Sequence, residues 1–173
     1  HAGQRFSWGS GIDGALGLGD TSDRLIPNPI PGQTNAVVIG STLGRVSLVI
    51  DAQGQLWGWG RNAERQLGDG TTTSRSTPKR ITTIGPVVGC RGGEYSGYAA
   101  LADGSLWAWG EGDNGQIGDG ASDDRPTPVR VPNFALSPGM DEGEPAFLQA
   151  SNGNYLVAIE AEHATAKIGR AHV

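Results

Sequence analysis

Glycine supplies 29 of 173 residues, well above the usual share of about 7%, while hydrophobic side chains make up only 36% and the net charge is −5. A chain of this length holds one domain with a real core, and its Gly-rich, Trp-bearing composition fits short strands joined by tight turns rather than a helical bundle. The charge argues against nucleic acid, the single Cys90 excludes an internal disulfide, no apolar run nears the roughly 18 residues of a membrane helix, and no Gly-x-y triplet period supports collagen.

In chain order, Phe6-Ser7-Trp8-Gly9 opens the sequence partway through a unit. The chain starts at His1 rather than Met, so further N-terminal sequence is expected. Residues 10–35 are turn-rich, with Pro27, Pro29 and Pro31 blocking any helix. Val37-Val38-Ile39 and then residues 45–50 are strand candidates, the second rich in β-branched residues. Asp51-Ala52-Gln53-Gly54 reads as a turn, and the chain returns as Leu56-Trp57-Gly58-Trp59-Gly60, which makes a hairpin. Residues 61–76 read as a loop, and a strand beginning at Pro78 runs to Ile84. Val87-Val88 starts the next strand and Gly92-Gly93 marks a turn. Tyr98-Ala99-Ala100-Leu101, the Asp103-Gly104 turn and Leu106-Trp107-Ala108-Trp109-Gly110 form a second hairpin.

These stretches repeat. The second Trp of each copy stands at 8, 59 and 109, spacings of 51 and 50. Gly17, Gly68 and Gly118 align, as do Gly19, Gly70 and Gly120, Arg24, Arg75 and Arg125, and Pro27, Pro78 and Pro128. Repeats of roughly 40–50 residues with several strands each indicate propeller blades, which must stack because a lone four-stranded sheet cannot bury both faces. Trp57 and Trp59 lie two apart and project from one face, with Leu56, Gly58 and Gly60 on the other. The expectation is that Trp8, Trp57, Trp59, Trp107 and Trp109, with Gly60 and Gly110, are blade-packing residues, each ring lying against small residues of the adjacent blade. The repeated Arg is read as a loop clamp donating to carbonyls, because an anion site is expected once rather than three times.

The third unit departs from the pattern. Eight extra residues lie between 133 and 145, carrying Asp141, Glu142 and Glu144. After Glu160 no Asp-Gly turn and no Trp strand follow. The expected organisation is therefore a propeller segment over 1–160, with units 1–36, 37–86 and 87–146 and a partial unit 147–160, then an irregular tail over 161–173. The last six residues, Ile168 to Val173, match what a common sequencing adapter encodes in frame, and are read as an artefact outside the fold.

The Leu-Trp-x-Trp-Gly strand, the x-Gln-(Leu/Ile)-Gly-Asp-Gly turn, the Asp103-Gly104-Ser105-Leu106-Trp107 hairpin and the 50–51-residue spacing resemble the regulator of chromosome condensation repeat family over residues 1–160. The resemblance implies an all-β fold of four-stranded antiparallel blades closing into a propeller, commonly of seven, of which about three are present. The remaining blades of the parent chain are then expected partners. It also implies non-enzymatic binding, as exchange factors for a small GTPase or as secreted β-lactamase inhibitors. None of the matched residues carries either activity, because all are structural.

A search for chemistry finds few parts. The only histidines are His1, His163 and His172, so triads and zinc sites lack members. Cys90, in Val-Val-Gly-Cys, reads as a small buried hydrophobe, and no Gly-Lys-Ser/Thr phosphate loop occurs. Glu111, Asp113, Asn114, Asp119, Asp123 and Asp124 cluster, but not at calcium-loop spacing, and read as a solvated turn. No cofactor and no metal are expected. The reading is a non-catalytic scaffold for a protein partner, with loops 61–73, 111–125 and 134–145 as candidate contacts. Asp141, Glu142 and Glu144 are the first choice, since that segment alone breaks the repeat. The alternatives are a small-GTPase exchange regulator, a secreted β-lactamase-inhibitor-like protein, or a module of a large bacterial surface protein. The compartment stays open, with a leaning to a secreted or cell-surface bacterial location.

Overall fold

The computed structural model describes residues 4–42, 45–135, 146–149 and 156–159. Among the described residues thirteen strands follow one another: β1 (Phe6–Gly9), β2 (Arg24–Pro29), β3 (Ala36–Ile39), β4 (Ser41–Thr42), β5 (Val46–Asp51), β6 (Leu56–Gly60), β7 (Arg75–Ile81), β8 (Val87–Gly92), β9 (Ser96–Leu101), β10 (Ser105–Gly110), β11 (Arg125–Ala135), β12 (Ala146–Gln149) and β13 (Leu156–Ile159). Among the described residues the only helical element is a single 3-10 turn, Ile12–Gly14. The chain is all-β, as the repeat pattern predicts.

The sheets are blades in sequence. β1 and β2 form a two-stranded antiparallel sheet, and β3-β5-β6-β7 form the first complete blade. The next blade is β8-β9-β10-β11, antiparallel throughout, and β4 adds to its β8 edge in parallel, with Ser41 opposite Arg91. β12 and β13 make a further antiparallel pair. The β4 addition was not visible in the sequence. It links one blade to the next through the strand that precedes β5.

Each blade is built around its tryptophan strand. In β6, Trp57 pairs with Val49 and Trp59 with Ser47 across the hairpin, and in β10 Trp109 pairs with Gly97. Period-two alternation sends Leu56 and Trp59 to opposite faces. Leu56 joins Leu48, Ile50 and Leu67 in a core against Cys90, Ala99, Leu101 and Trp109 of the following blade. Trp59 and Trp57 join Val49, Ala36 and Ile30 on the side of the first unit. The hydrophobic core is thus divided into layers between blades rather than gathered in one centre.

The proline strands begin earlier than their sequence suggests. β7 starts at Arg75, with Pro78 inside it. β7 is the edge strand of its sheet and pairs only with β6, so a missing proline N–H costs no ladder bond on its outer side. A register shift between Gly58 and Gly60 falls within the same strand pair.

Candidate functional site

The residues singled out from the sequence separate into three groups in space. Trp59 and Trp109 lie between blades. Trp109 is fully buried and Trp59 is 2% exposed. The Trp59 indole N–H donates to the Ala15 carbonyl at 3.0 Å, and the Trp109 indole N–H to the Gln66 carbonyl at 2.9 Å. Ala15 and Gln66 are equivalent positions, one repeat apart. The rings cover Gly17 and Gly68: a Cβ on either glycine would sit 2.7 Å from the indole of the next blade.

Trp57 and Trp107 are half-buried and turn to their own hairpins. Trp57 donates to Asp51 Oδ2 at 3.0 Å and Trp107 to Ser105 Oγ at 3.0 Å. They sit at the turn end of their strands, within reach of the turn's side chains, and their N–H groups do not cross to a neighbouring blade. Gly60 and Gly110, with φ +100 and +99, also act inside their blades. Each lets the chain pass close to the preceding loop, where Arg61 N–H meets the Arg45 carbonyl at 2.8 Å and Glu111 N–H the Tyr95 carbonyl at 3.0 Å.

Trp8 is the exception. The expectation placed it against a neighbouring blade, but it is 61% exposed. It occupies the Trp59 position of the first unit, and among the described residues no Gly-x-Gly turn of another blade lies over it. Leu25, Ile26 and Phe6 of the same two-stranded sheet are exposed with it.

The repeated arginines clamp carboxylates, a correction to the carbonyl partners expected. Arg75 donates to Asp69 Oδ2 from Nε at 3.0 Å and Nη2 at 2.8 Å, and Arg125 Nε donates to Asp119 Oδ2. Arg24 reaches Asp20 Oδ2 at 2.7 Å and the Ser22 carbonyl at 2.9 Å. In the first unit Leu18 stands where Asp69 stands in the second, so the pairing moves to Asp20. An Asp six residues before each of the later arginines was the sequence signal that would have found the pair. Burial of Asp69 works against its charge, but hydrogen bonds from Thr71 and Arg75 outweigh it and hold the carboxyl below its usual range. Asp119 behaves alike, with Arg125 and the Ala121 N–H as donors.

The sequence reading also missed Asn62. It is wholly buried, and its Nδ2 lies within hydrogen-bonding distance of Asp69 Oδ1, the Thr71 carbonyl and Oγ1, and the Thr73 carbonyl, while its Oδ1 accepts from Leu67 N–H. Its counterparts in the other repeats are Gly11 and Gly112, so the repeat gave no signal for it.

In the acidic turn 111–125 two carboxylates are paired: Asp119 with Arg125, and Asp124 with Arg65 across the blade junction at 2.5 Å. Glu111 is the outlier. Partial burial, then the nearby charges of Asp113, Asp124, Glu64 and Glu94, push its pKa up. Cys90 is a free, buried thiol, and burial pushes it up to about 12, which leaves it a neutral thiol at physiological pH. Asp141, Glu142 and Glu144 lie outside the described residues, as does the tail 161–173. Among the described residues no helix is long and apolar enough to cross a membrane.

Stacked blades locked by a tryptophan and a Gly-x-Gly turn define a segment of a β-propeller. The regulator of chromosome condensation (RCC1) repeat matches residues 2–45, 53–99 and 103–159, and the chain belongs to that family. It is 36% identical over 84 residues to the ultraviolet-B receptor UVR8 of Arabidopsis thaliana, covering 48% of this chain and 19% of UVR8. It is 31% identical over 87 residues to a human protein described as a probable E3 ubiquitin-protein ligase, HERC6, covering 49% of this chain and 8% of that protein. Among solved structures, Prp20p of Saccharomyces cerevisiae superposes with a TM-score of 0.67 at 20% identity, over 75% of this chain and 34% of Prp20p. Human WBSCR16 gives 0.65 at 27% identity, over 75% and 33%. The chain therefore spans about a third or less of each of these proteins.

Proposed function

We propose that the chain is a non-catalytic propeller segment that presents its inter-strand loops to a protein partner. The observation that carries this is the division of labour between repeated and unrepeated residues. The residues that recur, the inner tryptophans, the Gly-x-Gly turns and the Asp–Arg clamps, are consumed in holding blades together. Outside their shared Gln-(Leu/Ile)-Gly-Asp-Gly turn, the loops between β6 and β7 and between β10 and β11 differ from copy to copy and keep charged groups at the surface. Glu64, Glu111 and Asp113 of these loops and Glu94 of the β8–β9 turn lie close enough that, added to partial burial, their charges raise the Glu111 pKa, which favours a partner with a basic surface. Rigid scaffolds with variable loops are the usual carriers of recognition. The buried Cys90 thiol, unfit as a nucleophile, is in keeping with a non-catalytic role.

The exchange-regulator reading draws on Prp20p, a protein described as binding Gsp1p and histones. At 20% identity that likeness concerns the fold. The E3-ligase description of HERC6 applies to a protein of which this chain covers 8%. The relatives described above are eukaryotic and lend nothing to a secreted bacterial placement. One experiment addresses the proposal. The immobilised chain is compared with a variant carrying Glu64→Lys, Glu111→Lys and Asp113→Lys, checked by circular dichroism for an unchanged fold. A partner retained by the native chain and released by the variant supports a loop-face scaffold. An identical retained set for both rejects it. Acceleration of nucleotide release from Gsp1p by the chain decides instead for the exchange regulator.

A further inference from the structure

The junction between the first unit and the blade β3-β5-β6-β7 holds an open cavity of about 520 Å³, lined by Ile12, Asp13, Thr21, Ser74 and Ser76. That volume falls within the roughly 300–1,000 Å³ of small-ligand pockets. The next junction along the chain explains why the space exists.

The two junctions are built on one plan. Gly19 N–H donates to the Ser76 carbonyl at 2.8 Å, and one repeat later Gly70 N–H donates to the Pro126 carbonyl at 2.9 Å. Gly14, Arg65 and Gly115 hold equivalent turn positions: their N–H groups bond to the carbonyls of Gly11, Asn62 and Gly112, and their carbonyls accept from Gly17, Gly68 and Gly118. Ser74 and Asp124 are likewise equivalent, one residue before the clamp arginine of their blades. At the second junction Arg65 reaches across and pairs with Asp124 at 2.5 Å. At the first junction the same two positions are Gly14 and Ser74. The position that supplies the Arg65 guanidinium at the second junction is a glycine at the first, where Arg45 crosses to Asp13 instead, and the cavity opens beside that pair.

We propose that this cavity is an acceptor site for an arginine side chain supplied by a protein partner. Its lining suits a guanidinium. Asp13 is half-buried and its Oδ2 already takes one bond, from Arg45 at 3.0 Å. A carboxylate has about four acceptor positions, so it retains capacity for a guanidinium fork. Thr21 and Ser76 supply hydroxyl oxygens, and Ser74 Oγ, which accepts from Asn62 N–H at 3.2 Å, keeps a second lone pair, so all three can accept from the remaining N–H groups. Ile12, exposed at the rim, gives the aliphatic stem of the incoming side chain an apolar surface. A lysine ammonium fits less well, because a point charge cannot form the planar fork to a carboxylate. No side chain of this chain can grow into the space from Gly14, since a Cβ there would sit 2.5 Å from the Ser76 Cα.

The site rests on the protein-binding reading, so its test uses a small probe and no protein partner. The isotope-labelled 173-residue chain is titrated with N-acetyl-arginine-N′-methylamide, and with the lysine analogue, while amide resonances are followed. Saturable shifts confined to Ile12, Asp13, Thr21, Ser74 and Ser76, at least roughly fivefold weaker with the lysine analogue, are expected. Asp13→Asn, a residue type that keeps the observed positive φ of 57°, weakens the arginine probe by roughly tenfold, the share of one charge-assisted contact. Ser74→Asp, which restores the carboxylate of the second junction, tightens it by a similar factor. Equal response to both probes, shifts spread over the surface, or no change in Asp13→Asn overturns the proposal. A positive titration alongside failure of the partner-retention experiment would leave the site standing and reject the scaffold.

Discussion

Asp69 shows how much of this fold is held by single polar groups. Its side chain is 2% exposed and accepts from Thr71 N–H at 3.0 Å, Thr71 Oγ1 at 2.7 Å and both ends of the Arg75 fork. The 14-residue excursion between β6 and β7 buries one apolar side chain, Leu67, so these bonds define its path. Because the folded pKa is depressed, the carboxylate contributes its full stabilisation above the unfolded value of about 3.9, and the contribution is lost as pH falls through the folded pKa. Asp119 shares this sign. Asp69→Asn is expected to cost about 2–3 kcal/mol at neutral pH, the scale of a hydrogen bond to a charged group. It should also flatten the loss of stability on acidification below about pH 4. Urea titrations at pH 7 and pH 3 check both statements. A variant as stable as the parent at pH 7, or one with an unchanged acid slope, contradicts them.

The turn between β6 and β7 and its two counterparts form an internal control at the level of elements. Gly17, Gly68 and Gly118 share positive φ, 70, 69 and 75, so alanine costs each the same backbone strain, roughly 1–2 kcal/mol. Their surroundings differ. A Cβ at Gly68 meets the fully buried Trp109 ring at 2.7 Å, whereas at Gly118 the nearest atom is Val131 Cγ1 at 3.5 Å. Gly68→Ala should therefore destabilise by about 1–3 kcal/mol more than Gly118→Ala, the usual cost of overpacking. Thermal melts of the two variants measure the difference, and equal losses would mean that the ring is free to move aside. The period-50 pattern made these elements legible in the sequence, because Trp59 and Trp109 recur at fixed distance from their glycines and alternate with small residues. It could not separate Trp59 from Trp57, since both share a face and only the reach to Ala15 or Asp51 distinguishes them. Nor did it place Trp8, whose environment depends on what lies over the ring. The Asp–Arg clamp was present as a six-residue spacing but was assigned to carbonyls. The junction cavity was illegible because it arises where Gly14 and Ser74 stand in place of the Arg65 and Asp124 that pair at the next junction.

Across the whole molecule, stability is passed from blade to blade through few contacts. Between the blade of β6 and that of β10 these include, beside the apolar layer, the Trp109–Gln66 and Gln66–Glu94 bonds, the Gly70–Pro126 and Gly54–Val87 backbone bonds, the Arg65–Asp124 pair and the parallel β4–β8 ladder. In a stacked array each blade contributes its own stability plus a nearest-neighbour interface. Removing one interface should detach a blade before the array as a whole unfolds. Trp109→Ala removes a fully buried ring from the layer containing Leu48, Leu56, Leu67 and Leu101, a loss of about 3–5 kcal/mol. Its unfolding is expected to split into two transitions. In hydrogen exchange, amides of β9 and β10 should lose protection while those of β5 and β6 keep it. Trp8→Ala, at a repeat-equivalent but 61% exposed position, should leave a single transition with little change in midpoint. The comparison isolates the interface from the chemistry of the residue, because the same substitution is made at the same repeat position. If both variants melt in one step with equal losses, the tryptophans act through their own blades, and the layered core does not set the cooperativity of the chain.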